Sequence, residues 1–464
     1  MRLFRTPLVL LAALAVGLVA HRIGSAERAA PRGREPLVAR DSIDPERLAE
    51  VLLDREGTRY RFVRRGQSWW QTSPVEHAVD GWSIRQFAAR VTKAESVRSV
   101  EVRADDAVSL AAAGLAPAQG RIELVEESSG GAPARRVVVE LGRRSLAGRA
   151  YARAVEPAQP GVRPAQPSVR YEVVDGSLHQ FALERDPREF RRRDLFIDLG
   201  EVDRIGLTSG GSTTSIARSG RNFRIEEPIR TRADRQQCEE LVDAIRRARS
   251  EGFIVDNPAE LSVYGLEPAA AVLAVRSGSR ETRLRIGDPV SIGAQDRFGL
   301  VEGTNTVVRI PAAVLAGIAP RAERLVDAVA SGVRAADVGA IEITQGPVRL
   351  SLRRETDRWN AAWGEPESGE GAGAADDAAV RRLLSALTEA RAGSVRIAVF
   401  PAEREVATIT LRGFAGEALD TVRVASEAEG GFLFENGDGV LRAHGAIDLP
   451  LSPAELGCVT RPLP

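Results

Sequence analysis

The strongest constraint on this chain is that it repeats itself. The stretch Gly220 to Arg249 has an earlier counterpart at Gly66 to Lys93, and an interrupted one that begins at Trp359 and resumes at Asp376. Aligned on Asp80, Asp234 and Asp376, the apolar positions fall into register without gaps. Ile84 matches Cys238 and Val380; Phe87 matches Leu241 and Leu383. Val91 matches Ile245 and Leu387, and Ala94 matches Ala248 and Ala390. Upstream, Gly66, Trp69 and Pro74 correspond to Gly220, Phe223 and Pro228. A repeat of this kind fixes the architecture, because each copy is one supersecondary plan used again.

The three- and four-residue spacing after each aspartate predicts a helix with one buried face. Aspartate belongs at such a start, since its carboxylate accepts a backbone N–H that has no partner inside the helix. Gln237, three residues after Asp234, predicts a variant of the capping box. Alternating segments around each helix predict strands: Thr58 to Val63, Trp69 to Gln71, Arg121 to Val125, Arg136 to Leu141, Ala150 to Ala154 and Val169 to Val174 in the first copy. Gly114-Leu115-Ala116-Pro117 recurs as Gly265-Leu266-Glu267-Pro268, and Leu141-Gly142 recurs as Ile286-Gly287. The expected fold is α+β: tandem units, each a mostly antiparallel sheet with a packed helix. Their bounds are 41–199, 200–332 and 333–464, after a segment 1–25 and a polar linker 26–40. The third unit is divergent. It lacks Gly-Leu-x-Pro and carries a Gly- and Glu-rich insert, Gly364 to Gly373, read as flexible. Asn436-Gly437 predicts a hairpin turn there.

Before the repeats, a short basic start leads into an unbroken apolar run from Pro7 to Ala20. Extended to Ile23, it nearly reaches the ~20 residues a helix needs to span a bilayer. A cleaved signal peptide and an uncleaved anchor compete. His21 and Arg22 follow Ala20 directly, with no small-x-small site, which favours the anchor. Either reading sends the remainder out of the cytoplasm, and the anchor makes it a single-pass protein of the inner membrane with its bulk in the periplasm.

The 64 basic and 64 acidic residues cancel, so no charge excess points to nucleic acid. Lys93 is the one lysine, which rules out a Walker A motif. The histidines at 21, 77, 179 and 444 are scattered without metal-ligand spacing, and no hydrolase or zinc motif is present. Gly369 to Gly373 lacks the strand–turn–helix context of a nucleotide loop. Asn436 to Gly439 lacks the acidic ligands of a calcium loop. Cys238 occupies a core column and reads as a small apolar residue. Asp80, Asp234 and Asp376 read as caps; Trp69, Trp70 and Trp82 as packing, with an aromatic contact patch as the sharper alternative. The basic run at Arg188, Arg191, Arg192 and Arg193 reads as a solvated link. No catalytic, cofactor or metal residue is assigned, and no cofactor is expected.

The aromatic-to-Pro hairpins (Trp69 to Pro74; Phe223 to Pro228), Ala233-Asp234, Val263-Tyr264-Gly265-Leu266-Glu267-Pro268, Ile286-Gly287 and the N-terminal apolar segment together resemble a bacterial family, domain of unknown function 4340. Its motifs are structural, so the resemblance carries over no active site. It implies a membrane-anchored extracytoplasmic partner of ABC transport systems of the gliding-motility type. The expected function is therefore a non-enzymatic accessory or scaffold of such a complex, with the membrane and a transporter permease as partners and no nucleic acid. The alternative is a glycan- or protein-binding module of the cell envelope that works without a transporter. Partner contact is expected on the features that do not repeat, the Pro-rich loop Glu156 to Pro167 and the insert Gly364 to Gly373.

Overall fold

The computed structural model describes residues 35–39, 42–103, 105–128, 134–145, 148–155, 168–356, 358–365, 369–427 and 430–460. The apolar N-terminal run, most of the linker and the loop 156–167 lie outside the described residues. The chain forms two compact bodies, 1–192 and 193–464; the first holds one large sheet and the second holds two.

In the first body the strands are β1 (Glu35–Pro36), β2 (Leu48–Arg55), β3 (Thr58–Arg65), β4 (Ser68–Ser73), β5 (His77–Val79), β6 (Glu95–Arg103), β7 (Gly120–Glu126), β8 (Arg136–Arg144), β9 (Arg149–Val155) and β10 (Ser168–Asp175). Their order is β1-β6-β10-β9-β8-β7-β2-β3-β4-β5. A four-strand meander runs to β5, helix α1 (Gly81–Thr92) follows, and β6 crosses to the far side. A second meander, β7 to β10, then fills the gap between β2 and β6.

The second body repeats this plan twice. Its first sheet has β11 (Arg204–Ser209), β12 (Ser212–Ser219), β13 (Asn222–Glu227), β14 (Thr231–Arg232), helix α2 (Arg235–Arg247), β15 (Gly252–Asp256), β16 (Ala271–Ser277), β17 (Arg280–Pro289), β18 (Arg297–Val301) and β19 (Thr306–Ile310). Its second has β20 (Ala340–Gln345), β21 (Val348–Glu355), β22 (Arg358–Glu365), β23 (Gly369–Ala374), helix α3 (Asp377–Thr388), β24 (Ser394–Ile397), β25 (Glu405–Arg412), β26 (Ala418–Glu427), β27 (Gly431–Glu435), β28 (Val440–His444) and β29 (Val459–Thr460). The orders are β14-β13-β12-β11-β16-β17-β18-β19-β15 and β24-β28-β27-β26-β25-β20-β21-β22-β23-β29. Leaving out the added edge strands β1 and β29, all three sheets have one order. The third unit is therefore divergent in sequence while its topology is complete.

The aligned columns land where the helical spacing puts them. Ile84, Phe87 and Val91, then Cys238, Leu241 and Ile245, then Val380, Leu383 and Leu387, are all buried against their own sheets. A further column, Ala88, Val242 and Leu384, joins them. Each large aliphatic side chain buried in this way contributes about 1.5–3 kcal/mol. That area term, more than helix propensity, holds twelve- and thirteen-residue helices that would be marginal alone.

Each N-cap aspartate works in two directions. Its carboxylate accepts helix N–H groups: Trp82 and Ser83 on Asp80, Gln237 on Asp234, Ala378 on Asp376. Its own backbone N–H donates to a carbonyl in the segment that closes the unit. The acceptors are Phe190, Leu325 and Leu456, at 2.8, 2.8 and 2.9 Å. Each acceptor residue buries its side chain in the core of its own unit. The capping box expected at Gln237 is consequently absent: the Asp234 N–H is already taken by Leu325, and the Gln237 amide turns to Glu240.

The Gly-Leu-x-Pro motif is a plug. Gly114 and Gly265 have φ of +69° and +63°, and the leucines that follow are buried beside the second meander. The loop crosses so close to β8 and β17 that a Cβ on Gly142 would lie 2.2 Å from the Ala113 carbonyl oxygen, and one on Gly287 would lie 2.1 Å from that of Tyr264. This close crossing is why Leu-Gly and Ile-Gly recur with the motif. The third unit solves the problem differently: Phe400 fills the place, with the Arg423 guanidinium 3.9 Å from its ring centroid.

The described part of the Gly-rich insert is strand. Gly369–Ala374 forms β23, paired with both β22 and β29. The indole of Trp363 lies over Gly371, where a Cβ would sit 2.5 Å from the ring. An aromatic side chain covering a glycine on a neighbouring strand supplies the packing that the glycine lacks. Among the described residues no helix is long and apolar enough to cross a membrane.

Gly287→Ala is expected to cost about 1–3 kcal/mol by overpacking. Gly206→Ala, with open space around it, is expected to stay within about 0.5 kcal/mol of wild type; urea unfolding of the two variants checks the contrast. Asp376→Ala is expected to cost about 1 kcal/mol as a lost cap. Asp234→Ala should cost clearly more in the same assay, because it also strips Arg391 of its partner.

Candidate functional site

The residues singled out by sequence do not converge. The three cap aspartates stand on three different helices. Trp69 is buried in the core, Trp70 is half-buried under Arg65, and Trp82 is 63% exposed at the start of α1, so they form no common patch. Burial pushes the Cys238 thiol up to about 12, which leaves it a protonated core residue. His179 and His444 are buried, and burial lowers the pKa of both. Among the described residues, no group of His, Cys, Asp and Glu could hold a metal ion. The basic run after Pro187 is not simply solvated. Arg191 is buried, and its Nε donates to Gln71 Oε1 at 2.9 Å, because the run closes the first unit against β4 and β5.

Two constellations stand out instead, and neither was visible in the sequence. One is the junction between the two sheets of the second body. Arg442, on β28, is fully buried. Its guanidinium donates to Asp438 at 2.7 Å and to the Asp327 carbonyl at 2.9 Å, while Thr231 of β14 donates to the same Asp438 carboxylate at 2.5 Å. Beside it, Arg391 pairs with the cap Asp234, and Arg232 pairs with Asp327 at 3.2 Å. Burial opposes ionisation of Asp438, but the hydrogen bonds and charge of Arg442 outweigh it and hold the carboxyl below the usual aspartate range. Asp234 follows the same logic with Arg391. The hairpin expected at Asn436-Gly437 exists, but with Phe434 opposite Arg442 its connection is longer than a two-residue turn, and its chemical part is Asp438. An Arg four residues after an Asp across a Gly turn was the only signal, and it is too common to be diagnostic.

The other constellation is a groove of about 530 Å³ in the first body. It lies at the C-terminal end of α1. Ala89, Ala94, Val174 and Leu178 supply apolar lining, and Arg90, Lys93 and Arg149 bring cationic groups to it. Glu95 and Asp175 line it as well. Hydrogen bonds from Ser177, side chain and backbone, hold the Asp175 carboxyl below its ordinary range, so it is charged at neutral pH. Among the described residues, Arg90, Lys93 and Arg149 have no ion-pair partner, although Arg90 also lies over the Phe181 ring.

Residues 224–412 match a family model described as "Domain of unknown function (DUF4340)". The matched span runs from β13 to the end of β25 and so includes the Asp234–Arg391 pair. No curated protein matches the chain. Among solved structures, DNA polymerase III subunit beta from Borrelia burgdorferi is 6% identical, over 90% of this chain and 93% of that one, with a TM-score of 0.14. The sliding clamp from Pseudomonas aeruginosa is 8% identical, over 88% and 93%, also with a TM-score of 0.14. Scores this low carry no argument about fold or function.

Removing one partner of a buried ion pair leaves the other charge uncompensated, at about 3–5 kcal/mol. Arg442→Ala is expected to destabilise the second body by that amount, and Arg442→Met with Asp438→Leu by less than the single change. Both carboxyl pKa values are depressed in the fold. Their contribution is thus complete above the ordinary aspartate value of about 3.9 and is lost as pH falls below it. Urea titrations at pH 7 and pH 3 should show the Arg442→Ala deficit shrinking at the lower pH.

Proposed function

We propose, from the match of residues 224–412 to the DUF4340 family model, that this protein is a membrane-tethered extracytoplasmic scaffold that serves an ABC-type transport complex and performs no chemistry of its own. The observation that supports this reading best is the junction in the second body. A buried Arg–Asp pair, a second pair through the cap aspartate and a shared apolar cluster lock two sheets into one block. Val440 of the third unit packs into the core of the second, which makes the connection a continuation of the interior. A rigid block of repeated sheets holds partners at fixed separation, which is what a scaffold requires.

The exposed sheet faces fit the same reading. Between the buried positions of β2 and β3 stand Asp54 and Arg59, paired at 2.7 Å. Arg285 with Glu302, Arg412 with Glu342 and Arg423 with Glu405 do the same on the other sheets, at 3.0, 2.8 and 2.7 Å. Such exposed pairs are worth about 0–1 kcal/mol each. Their effect is to keep broad sheet faces charged, soluble and unreactive.

The tether is assigned to the run Pro7 to Ala20, extended to Ile23, in its uncleaved form. Fractionation of cells followed by N-terminal sequencing checks it: the chain is expected in the membrane fraction with residue 2 or the initiator methionine at its start. Pull-down from detergent-solubilised membranes is expected to bring down an ATPase and a permease. A soluble mature chain that begins after Ala20 would remove the anchor. A tethered chain that brings down only cell-envelope glycan or unrelated envelope proteins would replace the transporter role with a binding module.

A further inference from the structure

The groove at the end of α1 is positioned by how the chain enters the first body. Glu35 and Pro36 pair with Ser96 and Glu95 at the start of β6, and the Leu37 N–H donates to the Ala94 carbonyl at 2.8 Å. Ala94 and Glu95 line the groove. The incoming chain is therefore pinned at the groove's edge. In sequence, residues 21–34 separate this point from the apolar run that ends at Ala20. At 3.3–3.6 Å per extended residue, that length reaches at most about 50 Å. On the tethered reading given above, the groove works within that distance of a lipid surface.

Its chemistry is mixed. Arg90 stands in the last turn of α1 and Lys93 is its C-cap, where cations are favoured by the helix dipole alone. Arg149 cannot be explained in that way, because it comes from β9 and reaches the same groove from the sheet. Three cations on a groove with buried apolar residues beneath them suit a phosphate. The two carboxylates on the same lining, Glu95 and Asp175, disfavour a polyanion, and the charged Asp175 suits an ammonium group next to that phosphate. Val97, 46% exposed as the extra residue of a bulge in β6, adds an apolar contact to the lining. A volume of about 530 Å³ lies within the usual range for small-ligand sites.

We propose that this groove binds the headgroup of an aminophospholipid, one phosphodiester beside one primary ammonium as in phosphatidylethanolamine, taken from the bilayer that holds the tether. Arg90, Lys93 and Arg149 receive the phosphate; Asp175 receives the ammonium. The inference rests on the tethered reading for its source of ligand, and its test does not.

The test is calorimetric titration of the detergent-solubilised full chain with dihexanoyl phosphatidylethanolamine, dihexanoyl phosphatidylglycerol, O-phosphoethanolamine and inorganic phosphate. The aminophospholipid is expected to bind most tightly. Lys93→Glu and Arg149→Glu should each weaken it about tenfold or more, the scale of one charge-assisted hydrogen bond. Asp175→Asn should weaken the aminophospholipid and leave the weaker phosphatidylglycerol signal unchanged. Unfolding curves confirm that the variants are folded, and exposed Lys93 is the safest of them. Equal affinity for phosphatidylglycerol overturns ammonium recognition, and with it the proposal. Equal affinity for O-phosphoethanolamine makes the ligand a soluble one and overturns the lipid source. No heat with any of the four overturns the site. A chain that fractionates as soluble yet binds the aminophospholipid refutes the tether alone; a tethered chain that binds nothing refutes the groove alone.

Discussion

The hydrogen bond from each cap aspartate to its closing segment is the contact that the remaining architecture depends on. A helix start has N–H groups without partners, and an aspartate carboxylate satisfies them. Here the same residue also offers its own N–H outward, to Phe190, Leu325 or Leu456. Those residues lie 110, 91 and 80 positions downstream in the chain, as their numbers show. One residue thus joins the first meander and helix to the end of the second meander. It also sets how far the closing segment can slide, because the donor is fixed by the cap. The buried side chains of the three acceptors then seal the helix against its sheet. The aspartates are conspicuous in the repeat for this structural reason, which is why three acidic residues in register make no active site.

Much of this was legible in the chain. The helical columns were, since offsets of three and four residues on one face survive drift in residue identity: Cys238 stands for an isoleucine or a valine without breaking the pattern. Most central strands were legible by alternation. The strands that were not are short, at an edge, or interrupted. In β6 and β15 a bulge at Val97 and at Ile254 shifts the inside–outside alternation by one residue, so the period of two is lost. In β23 glycine alternates with Glu370, Ala372 and Ala374, which reads as a flexible insert until the indole of Trp363 is seen lying over Gly371. The loop 156–167 is outside the described residues, so its proposed contact role stands on sequence alone.

The polar interior was not legible at all. Arg442 sits in a strand where every residue is buried, and nothing in its neighbours marks it. It can be there because Asp438 lies four positions away across the turn and because a main-chain carbonyl of the preceding connection, Asp327, faces it. Such pairs are poor sources of net stability, since desolvation cancels most of the attraction. What they do supply is register. Val440 and Val395 would pack against α2 in several ways, but Arg442 finds its acceptors in only one.

The groove and the junction are two uses of one position in the repeat. Counted from the cap, Glu95 corresponds to Arg249 and to Arg391. In the third unit that residue reaches back to Asp234 of the second, and Val329 bridges to it, so the surface beyond the helix end is filled by a neighbouring unit. In the second unit Arg249 pairs with Asp194 of the chain that enters it. Lys93 likewise corresponds to Arg247 and Glu389, and Arg90 to Ala244 and Ala386. Ala244 faces the helix Ala312–Ile318, where a Cβ on Gly317 would lie 3.4 Å from the Ala244 Cβ, in ordinary contact. At the first unit the helical segment Ser177–Glu184 takes that place: Phe181 stacks on Phe87 of α1 at 5.6 Å, and Arg90 lies over the Phe181 ring instead of facing a close-packed helix. The surface at the end of α1 is left as a groove, and among the described residues Arg90, Lys93 and Arg149 on it form no ion pair, although Arg90 lies over Phe181 and Arg149 acts on Asp175.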